Sequence, residues 1–235
     1  MIVKVLGCSN SWTERYTSCY LVNENIMMDC GCDAYKAYIK SGKNFADIEL
    51  FLITHFHADH VYGLNVFLTA LHRLGLQGRK KPIIAGPKGI KNVCERVFET
   101  SNLIKYDFKD LVDFYEVDDG VSFEFDGINI TPYKLDHGDV VDYGYILNQN
   151  GKSIGYTGDT TLVPALYTFI ENCDSCIMNI SRMQTNPKHL GVDTFKMLLE
   201  KYPNKTLLAT HCDENVYNLP LIEAQRVEEG MIIEI

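Results

Sequence analysis

Three histidines and an aspartate lie within the seven residues from Thr54 to His60, which read T-H-F-H-A-D-H. Imidazole and carboxylate groups are the ligands through which proteins bind zinc, manganese and iron. A lone histidine is more often a surface or hydrogen-bonded residue, but that explanation fails for four such groups in six positions. Placed there only to fill space, they would cost stability, because buried polar groups need partners. We therefore interpret this stretch as a metal-binding motif.

Three further potential ligands each stand where a predicted strand ends and a loop begins. Strand ends on one edge of a sheet can converge, and loops there can carry function without disturbing the core. Together with the motif they make seven groups, about the number that two metal ions need when one carboxylate is shared. The predicted set is His55, His57, Asp59, His60, His137, Asp159 and His211.

The chain has two other histidines, which we interpret differently. His72 lies in the middle of a predicted helix without an acidic neighbour, so we interpret it as structural. His189 lies in NPKHLGVDTF, just before a predicted helix. It is either a surface residue at the helix end or a group that faces the metal ions from the opposite wall of a pocket. In the second case its imidazole would donate a proton or a hydrogen bond to a bound substrate.

The elements that must position these groups alternate between strands and helices along the whole chain. Apolar alternation and short apolar runs predict the strands, and the turns Asp126-Gly127 and Asn150-Gly151 predict two hairpins. This order favours two packed sheets with helices outside them, in one domain over residues 1–235. Strands are predicted over 2–7, 18–23, 26–29, 49–54, 82–86, 121–133, 143–157, 175–180 and 206–210, with two more in the tail AQRVEEGMIIEI. Helices are predicted over 33–42, 61–76, 88–100, 162–171 and 192–201.

Composition narrows the possible partners and compartment. The formal net charge of −9 disfavours broad electrostatic binding of nucleic acid, which needs clustered lysine and arginine. The sequence shows neither a signal peptide nor an apolar run long enough for a membrane span, so we expect a cytoplasmic protein without a membrane partner. The eight cysteines are scattered, and many lie in apolar strand-like runs. We interpret them as reduced, buried thiols.

The motif and its surroundings resemble the signature of the metallo-β-lactamase superfamily. T-H-F-H-A-D-H continues as V-Y-G-L, and histidine, aspartate and histidine follow in the same order in LDHGDVVDYGYIL, GYTGDT and ATH. Further segments are similar to ribonuclease Z-type phosphodiesterases: LGCSNSWTERYTSCYLV with MMDCG, KKPIIAGPKGI, and KHLGVDTFKMLLEKYPNKTLLATH. The resemblance spans nearly the whole chain. It implies an α/β fold, an αββα sandwich of two mixed sheets with helices on both outer faces.

The resemblance also implies a distribution of the ligands over two divalent metal ions. His55, His57 and His137 would bind one ion. Asp59, His60 and His211 would bind the second ion, and Asp159 would bridge the two. Zinc is the first expectation, with manganese or iron as alternatives. A hydroxide shared by the ions would attack the substrate, Asp59 would hold or accept its proton, and His189 would act as the second catalytic residue.

The sequence departs from ribonuclease Z in one respect. That family usually carries a long flexible arm that grips tRNA, and we find no glycine- and lysine-rich insertion of that kind. We therefore favour a phosphodiesterase that acts on a small nucleotide or another small phosphodiester, and we do not expect tRNA as a partner. The resemblance suggests a homodimer. Three alternatives stay open: a thioester, lactone or β-lactam hydrolase, a tRNA 3′-processing endonuclease without its arm, and a non-catalytic metal-binding module.

Overall fold

The computed structural model describes residues 1–43, 47–74, 80–100 and 110–235. Within these ranges the strands are β1 (Ile2–Gly7), β2 (Cys19–Val22), β3 (Ile26–Met28), β4 (Leu50–Leu52), β5 (Ile83–Gly86), β6 (Asp113–Glu116), β7 (Phe123–Phe125), β8 (Ile128–His137), β9 (Val140–Gln149), β10 (Lys152–Tyr156), β11 (Ser175–Asn179), β12 (Thr206–Thr210) and β13 (Ile232–Glu234). The helices are α1 (Ala34–Lys40), α2 (Ala58–Val61), α3 (Gly63–Leu74), α4 (Ile90–Thr100), α5 (Pro164–Glu171), α6 (Val192–Lys201), α7 (Glu214–Tyr217) and α8 (Pro220–Glu223).

The strands form two mixed sheets. The first has the order β13-β1-β2-β3-β4-β5-β6, and the second has the order β12-β11-β10-β9-β8-β7. Strands β3 to β6 run parallel in the first sheet, and β10 to β12 run parallel in the second. The remaining neighbours are antiparallel. The predicted αββα sandwich of two mixed sheets is therefore confirmed.

The period of two along each strand divides its side chains between an inner and an outer core. In β9, Tyr145 and Leu147 face the inner cluster between the sheets, where the rings of Tyr20 and Tyr156 lie 4.7 Å apart. Ile146, the residue between them, faces the helices on the outer face. A second outer cluster covers the first sheet with side chains of α1, α3 and α4. Apolar burial on both faces of each sheet accounts for the order of layers.

Two glycines in the second sheet make room for a helix. The ring of Phe169 in α5 lies so close that a Cβ atom added at Gly144 would stand 2.8 Å from it, and one at Gly155 would stand 2.5 Å from it. Both glycines belong to strands, where a glycine weakens pairing but allows another element to approach closely. The sequence Y-G-Y in β9 and I-G-Y in β10 thus fixes where α5 docks.

Several elements differ from those that the sequence predicts. Strand β8 continues to His137, so this residue ends the strand instead of following it. The tail contributes one strand, β13, while Arg226 makes only an isolated bridge to Ala209. Strand β6 and the one-turn helices α7 and α8 were not predicted, because segments this short have little periodicity of their own.

Two predictions fall partly outside the described residues. Residues 75 and 76 of the predicted helix 61–76 lie outside them. So does the segment 101–109, which belongs to the region in which the sequence shows no inserted arm. No helix among the described residues is long and apolar enough to cross a membrane.

Candidate metal centre

The predicted ligands converge at the edge where β4, β8, β10 and β12 end. His55 and His57 follow β4, and α2 begins directly after His57, which places Asp59 and His60 on its single turn. The others are His137 at the end of β8, Asp159 beyond β10, and His211 directly after β12. The backbone of His211 has a φ of 57°, a left-handed conformation that residues other than glycine seldom adopt. This local conformation and the strand ends bring residues that are far apart in the sequence to one place.

One group of ligand atoms lies around His57. Its Nδ1 atom is 3.1 Å from His55 Nε2 and 3.2 Å from His137 Nε2. Asp159 Oδ2 is 3.8 Å from His137 Nε2. All four residues offer a ligand atom within 4.8 Å of the others. Imidazole nitrogens that face one another at such distances are stable when a cation stands between them, because each can direct a lone pair at it.

A second group lies beside the first and shares a carboxylate with it. His211 Nε2 is 3.2 Å from Asp59 Oδ2, and His60 Nε2 is 3.9 Å from the same oxygen. The Oδ2 atom of Asp159 lies 3.5 Å from His211 Nε2 and 3.7 Å from His60 Nε2. Because the same oxygen also faces His137, Asp159 stands between both groups.

Orphaned polar atoms show that the cluster fits a cation. His60 Nε2 and Asp159 Oδ1 are buried and have no hydrogen-bond partner among the described residues. Buried polar atoms normally have one, so an unpartnered pair in one cluster calls for an explanation such as an ion. The donor set contains only nitrogen and oxygen, which suits zinc, manganese or iron.

Each buried histidine of the cluster is held from behind through its other ring nitrogen. His137 Nδ1 donates a hydrogen bond of 2.8 Å to a backbone carbonyl, which leaves Nε2 to face the cluster as an acceptor. Such partners orient a ligand and fix its tautomer. The pairs are His55 with Thr54 at 3.0 Å, His60 with Asp29 at 2.6 Å, His137 with the carbonyl of Lys188, and His211 with Ser181 at 3.0 Å. Asp142 Oδ1 lies 3.1 Å from His55 Nδ1 without forming a hydrogen bond.

Asp29 is the most connected of these partners. Its Oδ1 atom accepts a bond of 2.8 Å from the backbone N–H of Thr54, and its Oδ2 atom accepts bonds from Thr54 Oγ1 and the hydroxyl of Tyr156. Its backbone φ is 53° and the residue is fully buried. MMDCG takes part in the resemblance, but the sequence alone predicts no role for Asp29, which directly follows β3. Asp142, which lies within β9, was not predicted either.

The carboxylates make the centre a place where positive charge is stabilised. Burial alone would lower the pKa of His60, but Asp29 and Asp159 outweigh it and raise that pKa to about 10. Burial would raise the pKa of Asp159, yet His211, His60 and the other imidazoles around it keep it below its ordinary value. The same field that holds a proton on an imidazole would hold a metal cation.

Two other members of the motif, His55 and Asp59, are in different charge states near neutral pH. Burial, followed by repulsion from His60 and His137, lowers the pKa of His55 well below its ordinary value, so its imidazole is neutral near pH 7. Burial opposes ionisation of Asp59, but a hydrogen bond from His211 and the charge of His60 hold its pKa below the ordinary range. A neutral imidazole and an ionised carboxylate are the forms that bind metal.

His189 lies at the same centre and does not cap a helix. The N-cap of α6 is Gly191, whereas His189 Nδ1 is 3.8 Å from Asp159 Oδ2. Its ring centroid lies 4.8 Å from that of His137 and 5.8 Å from that of His211. Together with Asp159 and His211 it forms a third group of ligand atoms within 4.8 Å of one another. The structure thus places His189 at the wall of the centre, where it could act on a substrate or bind an ion.

The protonation of His189 follows from its neighbours. Asn179 Oδ1 accepts a hydrogen bond from the backbone N–H of Thr160, so the amide group of Asn179 faces His189 Nδ1 at 3.3 Å as a donor. Nδ1 is then an acceptor, and the proton is on Nε2. Burial lowers the pKa of His189 to about 4, against the opposing effect of Asp159. Near neutral pH this imidazole is an uncharged hydrogen-bond donor.

A cavity of about 340 Å³ opens over the cluster. Its floor includes His57, Asp59 and His211, and His189 forms part of its wall. The sequence predicts no role for six other residues that line the cavity: Asn10, Ser11, Trp12, Ser181, Arg182 and Asp213. The exposed ones, Ser11, Trp12 and Arg182, form its rim.

Comparisons with known proteins agree with this geometry. The family model described as Anti-Pycsar protein Apyc1 matches residues 1–226. A Ribonuclease Z of Staphylococcus carnosus is 35% identical over 147 residues, which are 60% of this chain and 45% of that protein. A Ribonuclease Z of Agathobacter rectalis is 34% identical over 122 residues, which are 52% of this chain and 38% of that protein. The matched part is thus less than half the length of these relatives.

Solved structures with the same fold cover the whole chain. A diphosphatase from the PhnP family superposes with a TM-score of 0.79 at 19% identity, covering 100% of this chain and 97% of that one. The metallo-β-lactamase fold protein YhfI from Bacillus subtilis gives 0.78 at 16% identity, with coverages of 99% and 98%. The short form of human tRNase Z gives 0.76 at 18% identity, with coverages of 100% and 99%. The expected metallo-β-lactamase fold and the likeness to ribonuclease Z are confirmed.

Proposed function

The chain belongs to the family described as Anti-Pycsar protein Apyc1, and we propose that it is a dinuclear metal phosphodiesterase for a small nucleotide or another small phosphodiester. Its relatives include ribonucleases, and one of its fold neighbours is a diphosphatase. Both activities break phosphorus–oxygen bonds. A β-lactam, thioester or lactone hydrolase has no comparable support among these relatives.

One observation carries the proposal. The Oδ2 atom of Asp159 lies within 3.8 Å of imidazole nitrogens from both ligand groups, His137 in one and His60 and His211 in the other. A single cation would need only one of these groups. A carboxylate placed between two sets of ligands supports a pair of ions that share it.

The ligands divide into two sets on this basis. We assign His55, His57 and His137 to one ion, with Asp159 as the shared ligand. We assign Asp59, His60 and His211 to the other. Zinc is the ion we expect, and manganese or iron would suit the same donors. Two such cations would supply a water that is deprotonated near neutral pH and would neutralise charge on the phosphoryl oxygens.

Two side chains would handle protons and orientation. Asp59 is ionised and lines the cavity, so it can hold the attacking water and accept its proton. His189 carries its proton on Nε2 and lines the same cavity, so it can donate a hydrogen bond to a phosphoryl or leaving oxygen. The ribose and base of a nucleotide would then extend towards the rim.

The size of the cavity and the charge of the chain support a small substrate. A volume of about 340 Å³ lies at the lower end of the range of small-molecule sites, which span roughly 300 to 1,000 Å³. The net charge of −9 does not provide the many cationic contacts that bind a long polyanion tightly.

A substrate panel with several added metals tests the proposal. Bis(p-nitrophenyl) phosphate, a 3′,5′-cyclic nucleotide, a precursor tRNA, a thioester and a β-lactam would be assayed side by side. We expect hydrolysis of the two small diesters and little or no trimming of the precursor tRNA. Turnover confined to the thioester or β-lactam would contradict the proposal, and efficient tRNA trimming would replace it with nuclease activity.

A further inference from the structure

The loop between β1 and β2 presents an aromatic side chain at the rim of the cavity. Trp12 is the only tryptophan of the chain, and 88% of its surface is exposed. Isolated exposed apolar residues are common on protein surfaces and need no explanation by themselves. Trp12 differs from them because it lines the same cavity as the proposed ligands Asp59 and His211.

The backbone at Trp12 is held by hydrogen bonds. Its backbone N–H donates to Asn10 Oδ1 over 2.9 Å, and Asn10 Nδ2 donates to Asp213 Oδ1 over 2.7 Å. Asp213 lies two residues beyond the ligand His211 and also pairs with Arg182. The loop is therefore joined to the part of the cavity wall that carries the proposed ligand His211, although Asn10 and Asp213 are more than 200 residues apart in the sequence.

Further contacts fasten the same loop on both sides of Trp12. The backbone N–H of His211 donates to the carbonyl of Cys8 over 2.9 Å. On the other side, Arg15 donates to the carbonyl of Cys212 and lies over the ring of Tyr217 at 3.7 Å. A flexible tip would lose conformational freedom on binding a ligand, whereas a loop held in this way loses little.

The cavity thus has two chemically different ends. The ligand cluster at its floor suits a phosphate, and the exposed indole at its rim suits a flat apolar ring. Arg182, half exposed at the same rim, is the only lysine or arginine among the described residues that line the cavity. A nucleotide joins a phosphate to a flat base through a sugar, which matches this arrangement.

We propose that Trp12 is a specificity-determining residue that stacks against the base of a nucleotide whose phosphodiester lies at the ligand cluster. This rests on the proposed phosphodiesterase function and adds the part of the substrate that is recognised. Aromatic side chains stack on any base because every base has a π face, so recognition at this place distinguishes nucleotides from diesters without a base. Arg182, which lines the same cavity, would add a cation–π contact with the same base.

A pair of diesters with the same leaving group tests the proposal by kinetics. Thymidine 5′-(p-nitrophenyl phosphate) and methyl p-nitrophenyl phosphate differ in the nucleoside, so the ratio of their kcat/KM values measures the contribution of the nucleoside. Trp12→Ala should lower this ratio by roughly 5- to 150-fold, the range that loss of one base–aromatic stack gives. Trp12→Phe should retain part of it. Tyr115→Ala, which removes a partly exposed aromatic ring outside the cavity lining, is the matched control and should keep the wild-type ratio.

Fluorescence provides a second measurement that does not depend on turnover. Because the chain has one tryptophan, its emission reports on Trp12 alone. Adenosine 5′-monophosphate should quench this emission saturably, and ribose 5-phosphate, which has no base, should not. Absence of saturable quenching by the nucleotide, or an unchanged kinetic ratio in Trp12→Ala, would overturn the proposal. Failure of the wild-type protein to hydrolyse either diester would instead contradict the proposed function, and the fluorescence titration would still decide the role of Trp12.

Discussion

At the level of single residues, the candidate centre contains buried imidazoles that differ in charge. His55 is kept neutral by burial, whereas His60, which is equally buried, is surrounded by enough carboxylates to hold a positive charge. Asp159 faces imidazoles of both ligand groups, His137 in one and His211 in the other. Scattered over a protein surface these groups would be solvated, but concentrated in one buried cluster they are costly unless hydrogen bonds or a bound cation compensate them.

His189 provides a prediction that separates two roles for one imidazole. If it donates a hydrogen bond to a leaving oxygen, His189→Ala should keep the fold and both metal ions but lose roughly 10²- to 10³-fold in turnover of an unactivated diester, the scale of removing one hydrogen-bond donor from a developing oxyanion. The loss should be smaller for p-nitrophenyl esters, whose leaving group spreads its negative charge over the ring. Steady-state rates on both substrates and metal analysis of the variant measure this.

Two results would contradict that role for His189. Unchanged rates on both kinds of diester would reduce His189 to a structural residue of the wall. Loss of a metal ion in the variant would make it a ligand, in line with its place in a group with Asp159 and His211.

The ligand types could be predicted from the sequence, while their supporting partners could not. Four groups crowded into T-H-F-H-A-D-H are a local signal, and the other ligands each end or follow a strand. Asp29 acts through contacts with residues far along the chain, such as His60 and Tyr156, and Asp142 faces His55 at 3.1 Å. No spacing within the sequence indicates those contacts. Trp12 and Arg182 were missed for the same reason, since only the folded loops bring them to one cavity.

At the level of elements, the motif is fastened to the turn that follows β3. The backbone N–H of Cys30 donates to the carbonyl of His60 over 2.7 Å, and the N–H of Gly63 donates to the carbonyl of Cys30 over 2.8 Å. A Cβ atom at Gly63 would stand 2.1 Å from the carbonyl oxygen of Gly31, so a glycine is needed where α3 begins. The turn after β3 and the turn of α2 thus form one unit.

Asp29 joins three strand ends, and its substitution tests how far they depend on it. All its partners are donors, so Asp29→Asn would place an amide N–H₂ group against at least one of them. We expect a loss of about 3–5 kcal/mol in the free energy of unfolding, the scale of breaking a buried charged interaction. Urea unfolding in the presence of a chelator measures this without the contribution of metal binding.

A matched substitution controls for the change from carboxylate to amide. Asp126 lies at an exposed hairpin turn with a φ of 48°, which asparagine also adopts readily. Asp126→Asn should change the free energy of unfolding by no more than about 0.5 kcal/mol. Equal stability of Asp29→Asn and Asp126→Asn would show that the buried network contributes nothing to the fold.

At the level of the whole molecule, the layers were predictable and several short elements were not. Alternating apolar residues and two hairpin turns indicate the two sheets, because a period of two decides which side chains are buried. Strand β6 and helices α7 and α8 have only four residues each, so their structure comes from the neighbours they pack against. A single domain over residues 1–235, a homodimer and a cytoplasmic location stay predictions.

The state of the cysteines gives a prediction for the molecule as a whole. All eight are free thiols, and seven of them are buried. Burial raises the pKa of Cys212, next to the ligand His211, to about 12, so it is not a reactive thiolate near neutral pH. Reducing agent should therefore leave the melting temperature nearly unchanged. A large decrease on reduction, followed by scanning calorimetry, would reveal a disulfide that the structure does not contain.

The metal content of active protein tests the central claim most directly. Elemental analysis of the purified wild-type protein, with its diesterase activity measured on the same sample, should give close to two transition-metal ions per chain, roughly 3.5–4 Å apart by X-ray absorption. His57→Ala should lose metal and activity together, and His72→Ala, a histidine outside the cluster, should keep both. Fully active protein that contains no bound transition metal would contradict the account.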